Sequence, residues 1–253
     1  MSTKIEDKET VTEAETNSAV DNKVKTLLFG VDSKTQANDL LQNNIKEFEW
    51  VVRNKLYPNF FGRYLTGENC LTKDEIKFIL DRKSISSFVM DGIADGRFPL
   101  RVTHNDTKLD NIMMDPETGE GRCVIDLDTV MPGSVLADFG DAIRFGASST
   151  TEDETDLDKV YLRLDLFEGF AKGFIEGLEG ALTKEEILSL PMGAYMLAYE
   201  QSIRFLGDYL NGDVYFRTHY PEHNLVRARN QMKLVADMES KMDEMNRIVK
   251  KYI

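Results

Sequence analysis

Asp106, Asn111 and Asp126 have the types and the spacing of a definite chemistry. Asp106 and Asn111 stand five positions apart in THNDTKLDN, and Asp126 follows Asp106 by twenty positions, at the end of the short apolar run CVI. Phosphoryl transfer from ATP needs one carboxylate to accept a hydroxyl proton, and an amide and a second carboxylate to hold Mg²⁺ against the phosphates. Oxygen donors of this kind suit a hard cation. Asp106 is accordingly the candidate catalytic base, and Asn111 and Asp126 are the candidate metal ligands. Asp128 is a further metal contact or a brace for Asp126. His104 reads as structural support of the loop.

Taken alone, Asp106 would read as a turn aspartate bonded to its own backbone. Its companions change that, because His-x-Asp-x-x-x-x-Asn followed by a strand ending in Ile-Asp has the order of a kinase catalytic loop. A second tripeptide, Asp138-Phe139-Gly140, spells the metal-binding signature of protein kinases. It lies thirty-two positions after Asp106, however, and follows Met-Pro-Gly instead of a strand. Asp138 and Asp141 are therefore expected to cap the next helix or to support the catalytic loop.

The elements that must position these groups follow from periodicity. Arg97–Val102 reads as a strand entering the loop. Asn111–Met114 and Cys123–Ile125 read as two strands around a turn at Pro116–Gly121, with Cys123 a small core residue. Helices are expected from a capping box at Thr72–Glu75 to Asp81, and over Ser84–Ala94. Everything after Asp138 reads as helical. Val160, Leu164, Phe167, Phe174 and Leu178 form one stripe, Thr183–Glu186 caps the next helix, and a long helix spans Leu190–Leu210. A last amphipathic helix carries Val235, Met238, Met242, Met245 and Ile248. Upstream, residues 1–22 are polar and aperiodic, an expected disordered arm. Val24–Val31 reads as a buried strand, residues 35–56 as a helix and Tyr57–Thr66 as an aromatic segment punctuated by Pro and Gly.

The chain has 253 residues, 42% hydrophobic, with a net charge of −13. That charge argues against a nucleic-acid or anionic-membrane surface. Its two cysteines are too few for a disulfide framework. With no signal-like or membrane-spanning run, the expectation is a cytoplasmic protein acting on a small molecule.

THNDTKLDN, CVIDLDTVMPG, ADFGDAIRFGA, RFLGDYLNGDVYF and QMKLVADME together resemble the aminoglycoside-phosphotransferase and choline-kinase-like superfamily, and within it the N-acetylhexosamine 1-kinases, over about 84–253. The resemblance implies a mostly helical α+β fold, the kinase-like C-lobe with a short β-hairpin, with ATP and Mg²⁺ as cofactors and a sugar as acceptor. It implies that Arg204 and Tyr215 bind the sugar. Read from the residues alone, Arg204 and Asp208 are an i, i+4 surface ion pair. Kinases acting on choline, homoserine or aminoglycosides share the loop, and an inactive remnant that binds sugar or a partner is the reading outside the enzyme class.

A kinase of this kind also carries an N-terminal lobe with a phosphate-covering loop and a strand lysine. Residues 1–100 contain no G-x-G-x-x-G and no Val-Ala-x-Lys; Lys23 and Lys25 merely flank one short strand. The N-lobe is therefore expected to be missing or truncated and turnover absent or barely detectable. LLFGVDSKTQANDLLQN and YPNFFGRYLTGENCLTKDEIKFI resemble instead the opening of a glycoside-hydrolase-like barrel, whose strand-end aspartate would match Asp32, but the stretch is far shorter than the roughly 250 residues a barrel needs. Asp32 alone reads as a turn or helix cap. The expected divisions are a 1–22 arm, a 23–83 α/β appendage and an 84–253 phosphotransferase lobe.

Overall fold

The computed structural model describes residues 73–253, all within the unit Val51–Ile253. The expectations for the arm, the Val24–Val31 strand, the 35–56 helix, Asp32, the aromatic segment, the N-lobe and Thr72 lie outside the described residues. Six α-helices and four short strands are described: α1 Lys73–Asp81, α2 Phe88–Ala94, β1 Arg101–Thr103, β2 Ile112–Met114, β3 Gly121–Val124, β4 Met131–Gly133, α3 Val135–Gly146, α4 Leu164–Gly177, α5 Lys184–Asn211 and α6 His223–Val249. The architecture is mostly helical with two small antiparallel sheets, consistent with a kinase-like α+β fold.

Helices α3, α4, α5 and α6 enclose the core. Leu136, Phe139 and Ile143 meet Phe167 and Ala171, Leu190 and Ala194, and Leu234, Val235 and Met238, with each of these side chains essentially buried. Buried apolar surface at helical spacing on each element drives this packing. α3 and α5 cross unusually closely. A Cβ on Gly140 would stand 2.5 Å from the carbonyl oxygen of Gly193, and one on Gly193 would stand 2.6 Å from that of Leu136. Only hydrogen atoms fit at both positions.

α5 starts at a full capping box. Glu186 donates its backbone N–H to Thr183 Oγ1 at 3.1 Å, and its carboxylate accepts the Thr183 N–H at 2.7 Å. The same carboxylate takes both arms of Arg101, at 2.7 and 2.8 Å, tying β1 to the start of the helix. The helix then runs unbroken for 28 residues through Pro191 to a left-handed Gly212 with φ 93°. The expected capped helix and the Leu190–Leu210 helix are thus one. Pro191 forgoes one backbone bond, but the fully buried Leu190 and Ala194 on either side hold the helix together.

Other boundaries also shift. The Ser84–Ala94 helix is a 3₁₀ turn, Lys83–Ile85, followed by α2, and the strand entering the loop shortens to Arg101–Thr103. Val160 lies before α4 and not on it, and the segments between α3 and α4 and between α5 and α6 are not α-helical, the first holding only the 3₁₀ turn Leu157–Lys159. Cys123 is exposed, not a core residue. All of β3 faces solvent among the described residues, so the apolar pattern of the hairpin marks a surface, with Met113, Met114, Val124 and Leu127 all more than half exposed.

Candidate active site

The catalytic-loop sequence sits between two strand pairs. β1 and β4 pair antiparallel with Thr103 opposite Met131, and β2 and β3 pair with Ile112 opposite Val124. One more bond, Ile125 N–H to Asn111 C=O at 2.9 Å, carries the hairpin ladder past β3 and brings the chain before Asp126 back beside Asn111. The far end of the hairpin is fixed by Asp115, whose carboxylate takes Arg122 and the N–H groups of Thr118 and Glu117 and is held at about 2.

The loop is pinned from α3. Asp138 accepts the His104 N–H at 2.9 Å and the Asn105 N–H at 2.7 Å, one on each carboxylate oxygen. Its burial pushes its pKa up against those two bonds. Asn105 is left-handed, φ 64°, and its amide donates to the Thr129 carbonyl at 3.0 Å. Thr107 Oγ1 donates to the Asp138 carbonyl and Thr129 Oγ1 to the His104 carbonyl. The His104 ring closes the frame. Its Nδ1 accepts the Asp106 N–H at 3.3 Å, so in the neutral ring Nε2 carries the proton and donates to the Ile125 carbonyl at 2.9 Å.

Asp138, Phe139 and Gly140 therefore divide three tasks. The carboxylate clamps the loop, Phe139 fills the core and Gly140 admits α5. Asp141 does not bond the loop as expected. It pairs with Arg144 one turn along α3 at 2.9 Å, and Arg144 also pairs with Glu152.

Within this frame Asp106 is one-third exposed or less and makes two side-chain contacts through Oδ2, to Lys108 Nζ at 2.7 Å and to Asn111 Nδ2 at 2.8 Å. Burial works to raise its pKa, but the Lys108 ammonium and the Asn111 amide outweigh it and hold the carboxyl below its ordinary value. Lys108 is raised in turn, first by its bond to Asp106, and it lies in the fields of Asp126 and Asp141 as well. Lys108 was not singled out from sequence. Its position two residues after Asp106, in Asp-x-Lys, was the available signal.

Asn111 spends its amide nitrogen on Asp106, on both the carboxylate and the backbone carbonyl at 2.8 Å each. Its Oδ1 accepts no hydrogen bond among the described residues. Asp126 is exposed, left-handed at φ 63°, ψ 56°, and its carboxylate likewise accepts none. A non-glycine residue in that conformation costs of order 1–2 kcal/mol. Asp128 is exposed in the 3₁₀ turn that follows. No three His, Cys, Asp or Glu side chains gather as a metal group among the described residues. One amide oxygen and one carboxylate nevertheless fit Mg²⁺, which keeps waters and takes one or two protein carboxylates alongside phosphates.

Arg204 and Tyr215 form a second cluster. The Arg204 guanidinium lies 5.9 Å from the Tyr215 ring centroid and 5.3 Å from that of Phe216, and both Arg204 and Tyr215 are exposed. Asp208 is no partner of Arg204. It is buried and accepts the backbone N–H groups of Val214, Tyr215 and Phe216 together with the Asn224 amide, at 2.8 to 3.0 Å. The expected surface ion pair is thus a loop clamp, and Arg204 instead bonds Gln201 at 3.1 Å. Glu200 lies one turn before Arg204 on α5. Burial holds its pKa up, and it lies in the fields of Arg204, Asp141 and Arg144.

Against known proteins, one finding bears on the class. Residues 59–177 match the model of the phosphotransferase enzyme family. The match covers a little under half of the chain and supports a kinase-like phosphotransferase. It contains His104, Asp106, Asn111, Asp126, Asp128 and Asp141. Arg204 and Tyr215 lie beyond its end. Its start falls inside YPNFFGRYLTGENCLTKDEIKFI, so part of the segment that resembles a barrel opening matches the phosphotransferase family. No helix among the described residues is long and apolar enough to cross a membrane.

Proposed function

We propose that this protein transfers the γ-phosphoryl group of ATP to a sugar hydroxyl, with the anomeric hydroxyl of an N-acetylhexosamine as the foremost acceptor. The observation that carries the reading is the division of labour at Asn111. Its amide nitrogen orients the Asp106 carboxylate, and its amide oxygen is left for a cation beside the unbonded carboxylate of Asp126. When bound, Mg²⁺ supplies charge neutralisation on the transferred group.

Asp106 accepts the acceptor's hydroxyl proton as that oxygen bonds phosphorus and the β,γ-bridging bond breaks. A strong base is not required, because little proton transfer is needed in a loose transition state. A depressed carboxylate held by two donors suits that role. Lys108 compensates the charge gathered at Asp106, Asp126 and Asp141. Exposed Met113, Met114, Val124 and Leu127 offer an apolar surface beside the metal ligands for a purine ring. Arg204 on α5 and Tyr215, on the loop fixed by Asp208, hold the acceptor.

The test is a product analysis by ³¹P NMR after incubation with ATP, Mg²⁺ and one acceptor at a time: N-acetylglucosamine, N-acetylgalactosamine, choline, homoserine or an aminoglycoside. The expected product is an acid-labile sugar 1-phosphate. A phosphorylated choline, homoserine or aminoglycoside in its place would keep the phosphotransferase and discard the sugar.

A further inference from the structure

Glu200 stands on a stripe of α5 that passes from the core into the open. Gly193, Leu197, Glu200 and Arg204 follow one another at spacings of four, three and four, so they share one face of the helix. At Gly193 that face meets Leu136 of α3, and at Leu197 it meets Gly140, where a Cβ would lie 3.0 Å from Leu197 Cγ. One turn further along each helix come Glu200 and the Asp141–Arg144 pair, and the charges of that pair both act on Glu200. A turn beyond, the stripe ends in the exposed Arg204, over the Tyr215 and Phe216 rings. Glu200 thus has Arg204 on one side. On the other it has Asp141, whose field also reaches Lys108, the 2.7 Å partner of Asp106.

The Glu200 carboxylate is sheltered yet reachable. The residue is half-buried, and burial is the main influence on its carboxyl. It accepts no hydrogen bond among the described residues. The partnerless side-chain atoms shut off from solvent among these residues all lie elsewhere, so water reaches the Glu200 oxygens. The neighbouring donors are committed: Arg144 holds Asp141 and Glu152, and Arg204 bonds Gln201 at 3.1 Å. A sheltered carboxylate without a donor is costly, so a ligand that brings one gains by meeting it. An ionised carboxylate only accepts, so the group must carry O–H or N–H. Arg204 and Arg144 outweigh Asp141 around Glu200. That surplus of positive charge disfavours an ammonium and leaves a neutral hydroxyl or amide.

We propose that Glu200 is a specificity-determining residue, its carboxylate receiving a neutral hydroxyl or amide N–H of the molecule held by Arg204 and Tyr215. Identifying that molecule with the phosphoryl acceptor rests on the sugar-kinase reading. Glu200 then contributes binding and orientation, and the acceptor's proton still goes to Asp106.

The experiment is an NMR titration of the full chain, labelled with ¹³C at the glutamate carboxyls and in the tyrosine rings and assigned through the backbone. The probes are N-acetylglucosamine and its cationic counterpart glucosamine. With N-acetylglucosamine the Glu200 carboxyl is expected to shift saturably, with the same Kd as the Tyr215 ring. Glu200→Gln keeps the size and one acceptor oxygen but loses the charge. It should weaken that Kd about tenfold, the difference between a charge-assisted and a neutral hydrogen bond. A moving Tyr215 with an unmoved Glu200, or a Kd unchanged in Glu200→Gln, would overturn the role of Glu200 and leave the sugar reading standing. A Glu200 carboxyl that responds to glucosamine alone would overturn the neutral donor. Silence of both residues with both probes would overturn the proposal together with hexosamine binding. Because the titration needs no turnover, failure of phosphoryl transfer is read separately. The unmodified chain decides the question even if the variant does not fold.

Discussion

Asp138 holds Asn105 by its backbone N–H at 2.7 Å across thirty-three residues of sequence, with Asn105 in a left-handed conformation. The second Asp138 oxygen holds His104, so α3 sets the geometry of the loop that presents Asp106. Asp138→Asn replaces one of these acceptors by an NH₂ group facing an N–H. The expected cost is about 1–3 kcal/mol in urea unfolding. Turnover should drop by roughly 10²-fold, the scale of a base displaced by about 1 Å. A variant with full activity would show that the clamp does not position the base.

The protonation of Asp106 gives a prediction with a definite sign. Its folded-state pKa lies below the ordinary 3.8, so its contribution to stability is present above the unfolded value and lost as pH falls through the folded one. Followed by ¹³C NMR of the side-chain carboxyl, the Asp106 midpoint should fall below 3.8. In Lys108→Ala it should rise, because burial then acts with one opposing partner removed. An unchanged midpoint would contradict the Lys108 contact.

Gly193 and Gly140 allow α3 and α5 to approach. Gly193→Ala places a methyl group against the Leu136 carbonyl and should destabilise the protein by about 1–3 kcal/mol or more, the range for overpacking, in thermal or urea unfolding. Because α3 also carries Asp138, turnover should fall with stability. A neutral substitution would show that the crossing has slack.

Asp208 fixes the 214–216 loop through three N–H groups, and Asn224 braces it. Asp208→Ala is expected to raise the acceptor KM more than it lowers kcat, since Tyr215 loses its position while Asp106 keeps its own. A change confined to kcat would separate this loop from acceptor binding.

Different parts of this arrangement were legible in the sequence to different degrees. The spacing of Asp106, Asn111 and Asp126 was legible because the chain between them is short and a two-strand hairpin has few ways to close. The final helix was legible because Val235, Met238, Met245 and Ile248 keep one period and are buried. Lys108 was not assigned its contact, and Asp138 was expected to cap the helix or support the loop without its partners being named, since an Asp-x-Lys pair and an aspartate some thirty residues away bond only once the tertiary fold sets their distance. Asp208 was misread because i, i+4 spacing with Arg204 suggests a pair, whereas Gly212 turns the chain so that the following N–H groups reach the carboxylate first. Cys123 was misread because an apolar run does not say whether a layer covers it. Pro191 marks a break in local propensity that burial of its neighbours overrides.

The most direct measurement is ADP formation by the purified chain with ATP, Mg²⁺ and N-acetylglucosamine, run beside Asp106→Asn and Asp126→Asn. Acceptor-dependent ADP formation is expected, slower than the ordinary ~1–10³ s⁻¹ of enzymes and reduced at least about 10²-fold in each variant, the scale of a lost general base or electrostatic contact. Turnover undiminished in Asp106→Asn would contradict the assignment of this loop as a phosphoryl-transfer site.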